Sequence, residues 1–263
     1  MANGGDASLN FRAAIRASPG HTMLMIDFHQ LELRIVAHIS QDAALQAFFA
    51  QSSDVFAAMA ETWFGPAESA AVLAEQRAKA KRTTYAILYG TGAEGLANTL
   101  NITVEEACEL IADFRTRYPS ILDMKKQIIE KGQTLGYVET LTGRRRHLPD
   151  LTSKVAQVAQ KAERVAVNTV IQGTASDIVK HAMLRVSAAL AASRETEGAK
   201  LVLQIHDELL FDVPNAVFAV ATALVKQTLE TAPAFLTVTN MHFPIRMKVG
   251  PSWGELTDYT PVP

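Results

Sequence analysis

Two short runs fix what this chain can fold into. Each is apolar, and each stops on an acid. Thr22-Met23-Leu24-Met25-Ile26 runs into Asp27, and Leu201-Val202-Leu203-Gln204-Ile205 runs into His206-Asp207-Glu208. Runs of this length and content read as strands. A carboxylate at the end of a buried strand is costly unless something compensates it. A hard divalent cation, which prefers oxygen ligands, is the usual compensation. Two carboxylates on neighbouring strand ends can hold two such ions about 3.5–4 Å apart, the arrangement used for phosphoryl and nucleotidyl transfer.

The bulk properties narrow the field without deciding it. A chain of 263 residues can bury a substantial core, as one large domain or two joined ones. Its formal net charge is −2, so a partner carrying phosphates would have to meet a local cluster of cations. Cys108 is the only cysteine, which excludes an internal disulfide and points to a reducing, intracellular setting. No stretch approaches the roughly 20 apolar residues of a membrane-spanning helix. Met1 to Asp6 lacks the apolar core of a signal peptide and reads as a flexible lead-in or a cut in a longer chain.

Between the two acidic strand ends the pattern is helical. Helices are expected over 30–39, 42–49, 53–64, 67–90, 103–118 and 120–132, with breaks at Gly65-Pro66 and Gly90-Thr91-Gly92. Thr103-Val104-Glu105-Glu106 has the form of a capping box. A short hairpin or turn is expected over 136–143, then a long helix over 154–190 with a break at Gly173. A helix over 215–231 and a last strand over 243–249 complete the chain. Few strands with segregated helices make the fold class α+β.

Four further clusters carry chemistry. Arg77, Lys81, Tyr85 and Tyr89 step by four and form one drifting stripe along a helix. Two cations followed by two rings suit a nucleotide, with phosphates at one end and sugar or base at the other. The plainer reading is a solvated helix whose tyrosines tuck into a core. Asp27 to Arg34 is dense in polar groups, and Asp27 could instead be a helix N-cap. His206-Asp207-Glu208 could be a polar hairpin turn, although it lacks the Gly or Asn that tight hairpins favour. Gly143-Arg144-Arg145-Arg146-His147 suits phosphate contacts or a solvated surface run. Arg164, Asn168 and Gln172 step along another helix face, where amides could read a minor groove or simply be solvated.

Taken together, these residues resemble DNA polymerase family A. Asp27-Phe28-His29-Gln30-Leu31-Glu32-Leu33-Arg34 resembles the family's first motif. Arg77 through Gly90 resembles its second, and Gln204-Ile205-His206-Asp207-Glu208 its third. Gly136 to Arg146 and Asn168 to Ala175 are similar to intervening family segments. The likeness runs from about Arg12 to Leu256. Phe56, Tyr85 and the ending Val249 to Leu256 resemble the eukaryotic theta and nu branch. His29 stands where the family usually has Ser, and Ala86 where it usually has Gly.

The resemblance implies a right-hand polymerase palm built on a small antiparallel sheet, with a mostly helical fingers subdomain and the thumb absent. It places the palm in residues 1–40 and 161–263 and the fingers in 41–160. It implies template-directed addition of deoxynucleotides to a primer 3′ end, in DNA repair or replication, with nucleus or mitochondrion as the compartment. Asp27, Asp207 and the Phe28 carbonyl would hold two Mg²⁺ ions, with Mn²⁺ as a substitute, and Glu208 would support them. Arg77 and Lys81 would bind the triphosphate, with Lys81 protonating the leaving group. Glu32 would exclude a ribose 2′-hydroxyl, and Gln30 would line the nucleotide site. Tyr85 would pack on the incoming nucleotide and Tyr89 at the templating position. Arg164, Asn168, Gln172 and His206 would read the minor groove, while Arg144, Arg145 and Arg146 touch phosphates. The partners implied are primer-template DNA and dNTPs, with no membrane and a monomeric chain. Two other readings stay open at this stage. One is a weak DNA- or nucleotide-binding module without turnover. The other is a two-metal nuclease or phosphatase, which leaves the Arg77 to Tyr89 stripe unexplained.

Overall fold

A computed structural model describes residues 10–52, 54–233 and 243–260. The Met1 to Asp6 lead-in lies outside them. The described residues form two compact units, one of residues up to 31 and from 175 onward, the other of residues 32–174. The α+β expectation holds: a small antiparallel sheet accompanies a mostly helical remainder. No helix among the described residues is long and apolar enough to cross a membrane.

The sheet unit is built around β1 (His21–Phe28), whose Met23 to Ile26 are buried. Five strands lie in the order β4 (Lys200–Ile205), β5 (Glu208–Pro214), β1, β6 (Ile245–Gly250), β7 (Thr257–Tyr259), all antiparallel. β1 is central because it is apolar on both faces. One face packs Met23, Met25 and Leu210 against Trp253 and Leu256. α9 (Phe218–Glu230) lies on β5 and β6, burying Ala221, Val225 and Leu229.

The helical unit holds α2 (Ala43–Gln51), α3 (Val55–Phe64), α4 (Ala70–Leu88), α5 (Ala93–Leu100), α6 (Val104–Arg117) and α7 (Pro119–Leu135). Capping sets several of the starts: Asp42, Asp54 and Ser69 each accept a backbone N–H, and Thr103 with Glu106 forms the expected capping box. α3 packs along α4 through Val55, Phe56, Met59 and Ala60. Trp63, Phe114 and Tyr118 make an aromatic cluster beside it. α5 is not among the expected helices, although Ala93, Leu96, Ala97 and Leu100 carry helical spacing. It is held by Leu96, Ala97 and Ala107, with Ala86 packed against them. The unusual methyl at position 86 therefore fills a satellite core.

Three further elements depart from expectation. α1 (Leu31–Ser40) starts after Gln30, which sits in the left-handed region at φ 58°. Asp27 therefore belongs to β1 and is not a helix cap. The hairpin is β2 (Tyr137–Glu139) with β3 (Arg145–His147), its tip clamped by backbone bonds from the Thr140 amide to the Arg144 carbonyl and from the Gly143 amide to the Thr140 carbonyl. α8 (Ala156–Ala192) continues through Gly173 without a break. Position 173 is glycine for closeness: a Cβ there would lie 2.7 Å from the Thr140 methyl.

Candidate active site

In the sheet unit the predicted acids converge through register. Asp27 at the end of β1 lies directly opposite Glu208, the first residue of β5. On the other side of β1 it faces Arg246 of β6. Cross-strand partners share a face, with Cβ atoms about 5 Å apart, and like charges so placed repel. Asp207 is the residue before Glu208, in the tight turn His206-Asp207 that joins β4 to β5. His206 takes φ 54° there, unusual for a side chain of its size. The turn is thus the polar hairpin that the local sequence argues against, made with a strained residue instead of glycine. Strain of this kind is kept where a site needs it.

Asp27, Asp207 and Glu208 are all half-buried, and His206 is exposed. Hard carboxylate oxygens in this arrangement fit a magnesium-like ion. No group of three or more His, Cys, Asp or Glu gathers into a ready-made cage among the described residues. Magnesium does not need one, because it is commonly held by one or two carboxylates with waters and substrate phosphates. Gln30 lies close in sequence, and both polar atoms of its buried amide lack a hydrogen-bond partner among the described residues.

In the helical unit the Arg77 to Tyr89 stripe starts beside the buried face of α4 and drifts away from it along the helix. Ala80, Thr83, Thr84, Ile87 and Leu88 are buried, Lys81 is exposed, and Arg77, Tyr85 and Tyr89 are half-buried. Each member of the stripe has a neighbour that sets its position. Arg77 Nε donates to Asp54 at 2.6 Å, and the other oxygen of that carboxylate caps α3 at the Ala57 amide. The Lys81 ammonium lies 6.0 Å over the Phe56 ring, which in turn meets Tyr85 at 5.7 Å. Tyr85 and Tyr89 stack with centroids 5.9 Å apart and planes 16° from parallel. The tyrosines therefore stack on each other along the stripe, and Tyr85 also rests on the buried Phe56 ring. The Tyr89 hydroxyl donates to Glu32. Burial, and then the Glu32 bond, raise the Tyr89 pKa well above the ordinary phenol value, while Gln172 partly offsets this.

The predicted DNA contacts other than His206 lie on α8 and the hairpin. The Arg144 guanidinium donates to the Gly173 carbonyl at 3.0 Å, and Arg146 donates to the Thr169 hydroxyl at 3.1 Å. The Leu141 amide donates to Thr174 at 3.0 Å. These bonds dock the arginine-bearing hairpin beside Asn168 and Gln172. Arg145 pairs with Glu139 at 2.9 Å and lies over the Tyr137 ring. Arg164 runs across the turn after α4, since a Cβ on Gly90 would lie 2.8 Å from its Cγ. Sequence reasoning assigned no role to Asp54 or Arg246. Nothing in the sequence ties Asp54 to Arg77, and the register of β6 alone brings Arg246 opposite Asp27.

The model of DNA polymerase family A matches residues 4–255. The chain belongs to this family. Among its relatives are DNA polymerase theta of Drosophila melanogaster, 35% identical over 90% of this chain, and the thermostable DNA polymerase I of Thermus thermophilus, 39% identical over 84%. This chain spans 12% of the fly protein and 26% of the Thermus one. The POL domain of Pol1 from M. smegmatis, solved in complex with DNA primer-template and dNTP, superposes with a TM-score of 0.80 at 33% identity. That match covers 92% of this chain and 42% of the solved one. The three family motifs fall on β1 and the start of α1, on α4, and on the β4–β5 turn.

Proposed function

We propose that this chain carries out template-directed DNA synthesis, adding a deoxynucleotide to a primer 3′ end with release of pyrophosphate. The observation that carries the reading is the pairing of Asp27 with Glu208 beside Asp207, in a chain matched by the family model over residues 4–255. In this reading Asp27, Asp207 and the Phe28 carbonyl would hold two Mg²⁺ ions, for which Mn²⁺ could substitute. Bound there, the ions would lower the pKa of the primer hydroxyl and neutralise the charge of the triphosphate. Glu208 keeps the local field negative. Arg77, held by Asp54, and Lys81 grip the phosphates, and Lys81 carries the proton that the leaving pyrophosphate takes. Glu32 excludes a ribose 2′-hydroxyl while it orients the Tyr89 phenol. Tyr85 packs on the nucleotide, and Gln30, with its unpartnered amide, lines its site. Arg164, Asn168, Gln172 and His206 serve the minor groove, and Arg144 to Arg146 the backbone phosphates.

The substrates in this reading are primer-template DNA and dNTPs, acted on by a monomer in an intracellular compartment, the nucleus or the mitochondrion. The palm of the proposed enzyme is 1–40 with 161–263, and its fingers 41–160. A role in DNA repair follows the theta and nu reading, which rests on Phe56, Tyr85 and the ending at Leu256. Degree of likeness does not separate that branch from DNA polymerase I. Primer extension with Mg²⁺ and each dNTP tests the function. Template-dependent extension is expected, and Asp207→Ala is expected to abolish it while DNA binding stays within about twofold. Undiminished extension by that variant would refute the metal role.

A further inference from the structure

From a contact that none of the motifs contains, we infer that Lys125 is a positioning residue for the turn that ends α4 and carries Tyr89. The inference rests on the polymerase reading above and adds a residue to it. α4 closes with a paired reverse turn: the Thr91 amide donates to the Ala86 carbonyl at 2.8 Å, and the Gly90 amide to the Ile87 carbonyl at 3.2 Å. Gly90 takes φ 78°, as the inner residue of this helix end requires. The Ile87 carbonyl then accepts a second bond, 2.8 Å long, from the Lys125 ammonium. Lys125 reaches it from α7, a separate helix 38 positions on in sequence.

Three features make this more than a surface contact. Ile87 is 6% exposed, so its carbonyl competes little with water for the bond. The ammonium meets the negative end of the α4 dipole, where a cation is favoured. Lys125 is itself largely removed from solvent, and that burial, with Arg115 nearby, lowers its pKa. Retaining a charged side chain in such a place is costly unless its bond does something. The stem of Arg164, from α8, also closes on Gly90, leaving no room for a Cβ. The turn is therefore held by α7 and α8, and Lys125 is its polar fastening.

The consequence falls on the nucleotide-binding face. The turn fixes where Tyr89 and its stacked neighbour Tyr85 stand. Loosening it would lower the fraction of molecules whose α4 end is ready to receive a nucleotide, and apparent affinity falls by that fraction. Chemistry after binding would be unchanged.

The test compares Lys125→Met, close in shape but without charge, with Lys125→Arg, which keeps the cation. Amide hydrogen exchange at Gly90 and Thr91 and single-nucleotide extension kinetics are measured for both. In the Met variant exchange is expected to quicken about tenfold. The KM for the correct dNTP should rise about tenfold with kcat within about twofold. The Arg variant should recover most of both. Unchanged exchange and KM in the Met variant would overturn the inference. So would a fall in kcat at constant KM, the mark of a smaller folded fraction. Should Met fold poorly in thermal melts, Lys125→Gln takes its place in the same comparison. If the unaltered chain extends no primer, the polymerase reading fails, and exchange alone decides whether the fastening exists.

Discussion

At the scale of single residues, several charges at the candidate site are held by their neighbours. Asp27 stands between Glu208 and Arg246 on adjoining strands, so repulsion on one side is offset on the other. Asp54 divides its two oxygens between the start of α3 and the Arg77 guanidinium. That division can be separated experimentally. Asp54→Asn keeps an oxygen for the cap and discharges the partner of Arg77. Asp54→Ala removes both. We expect the Ala change to cost about 1 kcal/mol more stability than the Asn change, read by urea melts. Both should weaken dNTP binding by about the same several-fold factor, read as KM. Equal stabilities for the two variants would show that the cap contributes nothing. His206 belongs at this scale too, because its left-handed backbone turns β4 into β5 at the place where Asp207 must emerge.

At the scale of elements, glycine marks two joints that the sequence places but does not explain. Gly90 ends α4 and accepts the stem of Arg164. Gly173 lies within an unbroken α8, where helix propensity alone predicts an interruption. Its bare Cα lets Thr140 and Arg144 of the hairpin approach the helix, and the Arg144 bond to the Gly173 carbonyl seals the contact. Gly173→Ala gains helix propensity locally but forces the hairpin away. We expect a net loss of about 1–3 kcal/mol in thermal or urea unfolding, with weaker DNA binding. A more stable variant would mean that propensity outweighs the contact. Helix α5 teaches the complementary lesson. Its eight residues do carry helical spacing, at Ala93, Leu96, Ala97 and Leu100, but so short a helix holds only because Leu96 and Ala97 find Ala107 of α6.

At the scale of the whole molecule, a chain of net charge −2 could bind DNA only through local cations. Arg146 is exposed on the hairpin, and Arg145 shares its charge with Glu139. Replacing Arg146 with Ala should reduce the slope of log K against log salt by about one, and the same change at Arg145 by less. Equal slopes for both variants would contradict the pairing seen at Arg145. The sequence by itself determined the α+β class, the family, the acids at the strand ends and the α4 stripe. Each of these is a local pattern: apolar runs, a four-residue step, or a motif read along the chain. Only the tertiary structure decided that Asp27 faces both Glu208 and Arg246, that Asp54 holds Arg77, that Gly173 is a contact and not a break, and that Lys125 fastens the end of α4. Those facts depend on strand register and on helices meeting across many intervening residues. A hydrogen bond or close packing between such partners leaves no trace in the spacing of either one.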